Sequence, residues 1–249
     1  MKNLIIIPAY KEEEALPKTL ASLEPLAEKF DVVVVNDGSP DGTGRVAELI
    51  AAQSRLKIHV IHLPVNGGIG VAMQTGYLFC AKRNCYKYAI QFDADGQHDA
   101  GCLQKLVDEC EQSGLDICIG SRFLQKEEGN FQSTFLRRVG IRFFCRLISL
   151  LSGIKVTDPT SGFRCAGVRA WSHFAQRYPD DYPEPESLFW CARNRLRIGE
   201  IPVRMHERQG GVSSIRSMRT VYYMLKVSLA IMVDRMRRKE HQEHALRVD

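Results

Sequence analysis

Long apolar runs are missing from this 249-residue chain, and their absence excludes several classes of membrane and secreted protein. No segment reaches the roughly 18 to 20 uninterrupted apolar residues that a membrane-spanning helix needs. The apolar run in MKNLIIIPAY, at the amino terminus, is too short for a signal peptide and is broken by Pro8. We therefore expect this segment to be a strand of a cytoplasmic protein rather than a targeting sequence.

Paired cysteines and a dinucleotide fingerprint are also absent. The eight cysteines include no C-x-x-C pair, which argues against a zinc site, and their apolar surroundings favour buried free thiols in a reducing compartment. The glycine-rich residues 66–70 do not match G-x-G-x-x-G and follow the third apolar run instead of the first, which argues against a redox dinucleotide. The formal net charge of +5 is modest and argues only weakly for anionic partners, and we expect no nucleic-acid partner.

Four short apolar runs, rich in β-branched residues, alternate with segments of helical character. They cover residues 4–7, 31–35, 58–63 and 88–92. This order predicts an α/β fold, Rossmann-like, with a mostly parallel central sheet flanked by crossover helices. Ligands of such sheets bind at the carboxyl ends of the strands. Since 45% of the residues are hydrophobic, the chain can bury one sizeable core.

Acidic and amide side chains follow the fourth run directly, in the segment YAIQFDADGQHD. Asp93 and Asp95 are placed to lie on one side of the strand end, with Gln97 and His98 close behind. Hard oxygen ligands in this arrangement suit Mg²⁺ or Mn²⁺, which keep other positions for water and substrate phosphates. The alternative is an exposed turn that carries unrelated acids, because D-x-D motifs are frequent by chance.

Two other polar turns are expected at the same sheet edge. They are Pro8-Ala9-Tyr10 after the first strand and the segment NDGS, residues 36–39, after the second. Because the carboxyl ends of parallel strands meet at one edge, the three turns converge on a site of nucleotide size.

The second half of the chain carries several charged segments. Helical spacing over residues 135–152 places Arg137, Arg138, Arg142 and Arg146 on a basic side, which is either solvated or a surface for anionic lipid or phosphate. Residues 157–164 form a dense turn that is too polar to be chosen for packing.

Two carboxylates and a glycine-containing loop come next along the chain. Glu184 and Glu186 precede a helix predicted over 187–198, as acids favoured by the helix dipole or as candidates for a general base. A strand predicted over 203–205 leads to Gly210 and Gly211, a loop that could move and bring Arg208 onto a phosphate.

Residues 218–238 are predicted to form a C-terminal amphipathic helix. Its apolar side could lie on a membrane face, on a membrane-protein partner or on the core of the domain itself. We therefore divide the chain into a domain over 1–215 and a helix with a charged tail over 216–249.

Six segments in this order resemble the motifs of glycosyltransferase family 2, and within it the dolichyl- and polyprenyl-phosphate sugar synthases. They are IIIPAYKEE, VVVNDGS-x-D-x-T, N-x-G-x-x-x-A-x-x-x-G, QFDADGQH, GSR and DPTSGFR. The resemblance spans about residues 3–215 and implies the GT-A fold, a nucleotide-sugar donor, a divalent cation and inversion at the anomeric carbon. Two departures are Lys11, where the family usually has Asn, and Asn36, which replaces the first of its paired aspartates.

The resemblance also implies roles for individual residues. Asp37 would bind the base of the donor, and Asp93, Asp95 and Gln97 would be the metal ligands. The nucleotide-sugar-binding set would be Pro8, Ala9, Tyr10, Glu12, Asp37, Gly67, Ala72, Asp93 and Ala94. The catalytic set would be Asp95, Arg122, Arg208, Glu184 and Glu186, and the set near the acceptor or its phosphate would be Arg138, Asp158, Arg164 and Ser213.

These observations predict transfer of a hexose from a UDP- or GDP-sugar to a polyprenyl or dolichyl phosphate, at the cytoplasmic face of a membrane. Mg²⁺ or Mn²⁺ would be the cofactor, and the protein would be peripheral to the membrane. One alternative is a transferase of the same fold that adds sugar to a saccharide hydroxyl. Another is a catalytically silent protein that binds nucleotide sugar beside a membrane-protein partner.

Overall fold

A seven-stranded sheet organises the chain in the order β3-β2-β1-β4-β6-β5-β7. The structure is a computed structural model and describes residues 1–124, 135–206 and 217–236. The strands are β1 (Lys2–Ala9), β2 (Phe30–Asn36), β3 (Ile58–His62), β4 (Tyr86–Gln91), β5 (Ile117–Ser121), β6 (Arg164–Gly167) and β7 (Ile198–Pro202). The helices are α1 (Leu16–Leu23), α2 (Thr43–Gln53), α3 (Ile69–Arg83), α4 (Leu103–Ser113), α5 (Phe135–Ser152), α6 (Val168–Gln176), α7 (Pro183–Arg193) and α8 (Ser217–Met236).

The sheet is parallel except at β6. This strand runs antiparallel to β4 on one side and to β5 on the other. The expectation of a mostly parallel α/β sheet is therefore confirmed. The sequence did not predict β6, because its four residues, RCAG, are too few to show a periodicity.

Alternate residues of the central strands feed two hydrophobic cores, one on each face of the sheet. Leu4 and Ile6 of β1 point to the face covered by α3 and by the helices of the second half. Ile5 and Ile7 point to the face covered by α1, α2 and α4. Burial on both faces explains why β1 and β2 read as continuous apolar runs rather than as alternating ones.

Two predicted boundaries near residue 200 are wrong. Helix α7 begins at Pro183, which fits the first helical turn, and ends at Arg193, five residues before its predicted end. Strand β7 pairs with β5 over Ile198–Pro202, so the predicted strand at 203–205 contributes only an isolated bridge between His98 and Met205. The left-handed backbone at Arg195 reverses the chain between the two elements.

The expected buried thiols are found with one clear exception. All eight cysteines are free; six are buried, Cys145 is partly buried and Cys85 is exposed. Within the described ranges, no helix combines the length and apolar character required to cross a membrane.

A buried glycine sets the distance between α3 and the sheet. A Cβ added at Gly76 would lie 2.3 Å from Cγ2 of Ile6, a fully buried residue of β1. The same addition at Gly140 in α5 would meet only the sulfur of Met224, at 3.8 Å.

Gly76→Ala is therefore expected to lower the free energy of unfolding by roughly 1–3 kcal/mol, because the new methyl group overpacks the core. Gly140→Ala is the matched control. It brings the same gain in helix propensity, worth up to about 1 kcal/mol, without the clash. Urea unfolding of both variants measures the difference. Equal stability of the two would contradict this account of the α3 contact.

Candidate active site

The loop over residues 92–99, which follows β4 and which we call the acidic loop, presents carboxylates at the carboxyl edge of the sheet. The Asp93 side chain is 30% exposed, and its Oδ1 accepts a hydrogen bond from Nε2 of Gln91 at 3.2 Å. Asp95 is buried to 6% exposure, and its Oδ1 accepts the backbone N–H of Gln97 at 3.1 Å. The loop therefore holds both aspartates with directional hydrogen bonds instead of leaving them on a mobile turn.

His98, which is buried, holds the acidic loop in place through one hydrogen bond and two ring contacts. Its ring stacks on Phe163 with 4.7 Å between ring centroids and meets Phe92 edge-on. Nδ1 accepts the backbone N–H of Asp93 at 3.0 Å, so the ring proton lies on Nε2, which is 3.5 Å from Oδ2 of Asp93. Burial lowers the pKa of His98 below its ordinary value of 6.5, against the opposing effect of Asp93 and Asp95.

Sequence reasoning noted His98 in its motif but assigned it no role. A single histidine after a D-x-D gives no periodic signal, and only the contact with Phe163, far along the chain, shows what it does. The structure makes it the residue that aligns the backbone of the acidic loop.

The donor atoms of this loop fit a hard divalent cation. Asp93 and Asp95 supply carboxylate oxygens and the partly exposed Gln97 an amide, the ligand types that Mg²⁺ and Mn²⁺ take. Among the described residues, no group of three or more histidine, cysteine or acidic side chains is arranged to hold a metal ion. The remaining coordination positions of a cation held by these side chains would be filled by water or by oxygens of a bound substrate.

Asp37 holds the glycine-rich loop before α3. Its two carboxylate oxygens accept the backbone N–H groups of Gly67 at 2.7 Å and Gly68 at 2.9 Å, and the residue is 3% exposed. A Cβ at Gly70 would lie 2.0 Å from the carbonyl oxygen of Pro179, so only glycine lets these two backbones approach. Asp37 thus lies at the predicted edge and links the second strand to the glycine loop.

The loop after β1 is bonded to the start of α2. The backbone N–H groups of Lys11 and Glu12 donate to Oγ of Ser39 at 3.2 Å and to Oγ1 of Thr43 at 2.9 Å. Lys11 has a φ of +59°, the left-handed region that asparagine tolerates better than most residues. Tyr10 is 41% exposed, which leaves its ring accessible to a ligand.

Three alanines of the expected nucleotide-sugar set lie in the cores instead. Ala9, Ala72 and Ala94 are 1%, 0% and 2% exposed. Their side chains pack in the cores, so Ala9 and Ala94 would meet a nucleotide through backbone groups. Ala72 is a correction, because its side chain on α3 is fully enclosed and its place in the glycine motif reflects close packing rather than contact with a ligand.

Arg122 and Asp158 form a buried, bidentate ion pair. Nε of Arg122 donates to Oδ2 of Asp158 at 2.6 Å and Nη2 to Oδ1 at 2.8 Å, with side-chain exposures of 5% and 0%. Glu200 on β7 accepts the backbone N–H groups of Thr157 and Asp158 at 2.8 and 3.0 Å. The polar turn over 157–164 is thus buried and satisfied internally, a packing role that the sequence reasoning had rejected.

Arg164, predicted near the acceptor, is also a buried connector. Its guanidinium donates to the backbone carbonyl oxygens of Pro159, Ser161 and Glu184 at 2.8, 2.6 and 2.7 Å. These contacts tie the polar turn to the start of α7 and place Glu184 relative to the sheet edge.

The two glutamates of α7 point to different parts of the molecule. Burial raises the pKa of the Glu184 carboxyl above its ordinary value of 4.5, Arg164 opposes this, and the charge of Asp93 adds to it. Glu186 instead lines a cavity of about 60 Å³ with His173, Trp190 and Asp234, where burial and the Asp234 carboxylate raise its pKa. The structure brings Glu184 toward the acidic loop and turns Glu186 toward α8.

Three predicted residues cannot be placed. Arg208 and Ser213 lie outside the described residues, and Arg138 lies on α5 at a position whose side chain is not described. Their expected contacts with phosphate remain predictions.

Asp158→Ala is expected to cost about 3–5 kcal/mol of stability, because it removes the carboxylate that compensates a buried guanidinium. Glu111→Gln, which weakens an exposed ion pair with Lys87, should cost under about 1 kcal/mol. Thermal and urea unfolding measure both. A loss at Asp158 no larger than the loss at Glu111 would show that the pair does not hold the turn.

Glu184→Gln should raise stability at pH 7 and leave it unchanged below the ordinary glutamate pKa of 4.5. The reason is that ionisation of Glu184 opposes folding when its pKa is higher in the folded state than in the unfolded state. This penalty is absent below the unfolded-state pKa, where the carboxyl is protonated in both states, and it is complete above the raised folded-state pKa. Unfolding curves between pH 4 and pH 8, with Glu111→Gln as the control at an exposed carboxyl, test this. A constant difference across the range would contradict the assignment.

Comparison with known proteins places these features in context. The chain is similar to the polyprenol monophosphomannose synthase of Mycolicibacterium smegmatis, with 30% identity over 231 residues that cover 91% of this chain and 86% of that protein. It is also similar to the undecaprenyl-phosphate mannosyltransferase of Micrococcus luteus, with 33% identity over 219 residues, 86% of this chain and 88% of that protein.

A solved structure supports the fold. The mannosyltransferase PcManGT of Pyrobaculum calidifontis, in complex with GDP-Man and Mn²⁺, superposes with a TM-score of 0.64 over 94% of this chain and 64% of that one. At 16% identity the likeness shows the fold alone, and it confirms the expected GT-A arrangement.

The sequence motifs, the acidic loop at the sheet edge and the relatives lead to one assignment. Residues 4–170 match Glycosyl transferase family 2, and both relatives align along most of the chain, so this protein belongs to that family.

Proposed function

We propose that this protein transfers a hexose, with inversion, from a nucleotide sugar to a polyprenyl phosphate. The observation that carries the proposal is the similarity, over most of both chains, to two mannosyltransferases whose names specify polyprenol and undecaprenyl phosphate. The acidic loop after β4 and the Asp37 loop supply a site at the carboxyl edge of the sheet where a nucleotide sugar would bind.

The donor would lie between these loops. The exposed Tyr10 would contact the nucleoside beside the glycine-rich loop that Asp37 holds, and Asp93 and Asp95, with Gln97, would hold a divalent cation. A cation bound there would neutralise the charge that develops on the leaving nucleoside diphosphate. His98 keeps the backbone of the acidic loop in place, so that both carboxylates are positioned before the donor arrives.

The chemistry of the acceptor decides whether a base is needed. An oxygen of a lipid phosphate attacks the anomeric carbon as an anion, the bond to the diphosphate breaks, and no proton has to be removed. A saccharide hydroxyl must lose its proton, and Glu184 is the carboxylate best placed to receive it. The raised pKa of Glu184 favours this second candidate function, a transferase acting on saccharide hydroxyls, as the alternative.

The test is incubation of the protein and Mn²⁺ with labelled UDP- and GDP-sugars and undecaprenyl phosphate. We expect a labelled product that is charged and extracts with the lipid. Turnover only with saccharide acceptors would refute the lipid acceptor, and donor binding without any transfer would indicate a silent binding protein.

Two variants sharpen this assay. Asp95→Ala should reduce turnover by roughly 100-fold or more, whereas Asp99→Ala, in the same loop, loses a cap on the Gly101 N–H and a long contact with the Cys102 thiol and should retain most activity. Glu184→Gln should leave most of the activity toward a lipid phosphate, and its loss with donor binding intact would instead favour the saccharide acceptor.

A further inference from the structure

A polar side chain ends the apolar strand that leads to the acidic loop. Gln91 is the last residue of β4 and is 0% exposed, and its backbone pairs with Ile6 of β1 and Arg164 of β6. Burial of a side-chain amide costs free energy unless its polar atoms find partners. An apolar side chain of the same size would avoid this cost, so the amide serves something other than stability.

Among the described residues, only one end of this amide has a hydrogen-bond partner. Nε2 of Gln91 donates to Oδ1 of Asp93 at 3.2 Å, whereas no protein group donates to the buried Oε1. The Asp93 carboxylate determines this orientation, because the opposite one would place two acceptor oxygens against each other. The one protein hydrogen bond of the Gln91 side chain is therefore directed at Asp93.

Gly162, in the polar turn over 157–164, closes over this hydrogen bond. A Cβ added at Gly162 would lie 2.6 Å from Nε2 of Gln91 and 3.5 Å from Oδ2 of Asp93. The backbone of Gly162 is not in the left-handed region, so its conformation does not require glycine. What requires glycine there is the space that the Gln91 amide occupies.

The Asp93 carboxylate has a donor near each of its oxygens. Besides the Gln91 amide on Oδ1, Nε2 of His98 lies 3.5 Å from Oδ2, which is the longer contact. The carboxylate is 30% exposed, so without the amide it could rotate toward solvent. Two directional contacts limit this rotation and leave the remaining lone pairs of the carboxylate for a ligand.

We propose that Gln91 is a positioning residue for the divalent cation of this site and keeps the Asp93 carboxylate in one orientation, ready to bind it. Gln91 is fully enclosed, so it acts through Asp93 rather than by contact with a ligand. Residues that hydrogen-bond to metal ligands orient them, and their loss typically lowers metal affinity by about 10- to 100-fold. The inference rests on the proposed function only for the use of a cation, and it holds for either acceptor.

The test is the affinity of the full chain for Mn²⁺ alone, measured from the electron paramagnetic resonance signal of the free ion. Gln91→Met keeps the size of the side chain and removes the donor, so the dissociation constant for Mn²⁺ should rise about tenfold or more. Gln104→Met is the matched control and should bind Mn²⁺ like the unchanged protein. Gln104 of α4 also donates through Nε2 to an aspartate, Asp108 at 2.6 Å, and also has a buried Oε1 without a protein donor.

The melting temperature separates positioning from packing. Gln91→Met replaces a half-satisfied buried amide with an apolar side chain, and the partly exposed Asp93 can be solvated again. Its melting temperature should therefore stay within about 4 °C of that of the unchanged protein. Gly162→Ala is a second variant that retains the amide and displaces it, and it should also weaken Mn²⁺ binding.

Mn²⁺ affinity that is unchanged in both Gln91→Met and Gly162→Ala would overturn the proposal. So would an equal loss of affinity in Gln104→Met, or the absence of Mn²⁺ binding by the unchanged protein. If Gln91→Met is strongly destabilised, unchanged affinity in Gly162→Ala alone would assign Gln91 to packing and reject the inference. Neither sugar donor nor acceptor is present, so Mn²⁺ binding that depends on Gln91 would stand even if the labelled-lipid assay refuted the proposed function.

Discussion

Buried and partly buried carboxylates that accept backbone N–H groups hold the candidate site together at the carboxyl edge of the sheet. Asp37 binds Gly67 and Gly68, and Glu200 binds the amides of Thr157 and Asp158. A carboxylate buried in this way is costly unless its oxygens are satisfied, so each contact fixes a loop in one conformation. The loops around the site therefore have little freedom to collapse onto each other when no ligand is bound.

The same edge of the sheet contains a carboxyl group, that of Glu184, whose ionisation does not favour folding. Burial and the charge of Asp93 raise the pKa of the Glu184 carboxyl, so its ionisation at neutral pH is unfavourable to folding. Arg164 fixes this glutamate by donating to its backbone carbonyl oxygen. Unfavourable groups held in place by favourable neighbours are typical of sites where stability is exchanged for reactivity.

Much of the first half could be predicted from sequence because its information is local. The runs that form β1 to β4 are long enough to show their character, and the polar residues that follow them are adjacent in sequence. The second half depends on distant contacts. Strand β6 is defined by its pairing with β4 and β5, between which it lies. The role of His98 depends on its contact with Phe163. The orientations of Glu184 and Glu186 depend on helix α7, which begins four residues earlier than its sequence pattern indicated.

The two halves of the molecule also differ in the kind of interaction that they offer. Around the acidic loop, contacts are directional hydrogen bonds of fixed geometry, which suits a nucleotide sugar with many polar atoms. On α5 and α8 the exposed groups are flexible apolar side chains and arginines, which have no fixed register. A polyprenyl phosphate has one charged group and a long apolar chain, so recognition of the proposed acceptor would need little more than a cation near the site and a bilayer that holds the rest. A division between a precise donor side and an adaptable acceptor side would follow from the chemistry of the two proposed substrates, and it would account for motifs that are dense in the first half of the chain and sparse in the second.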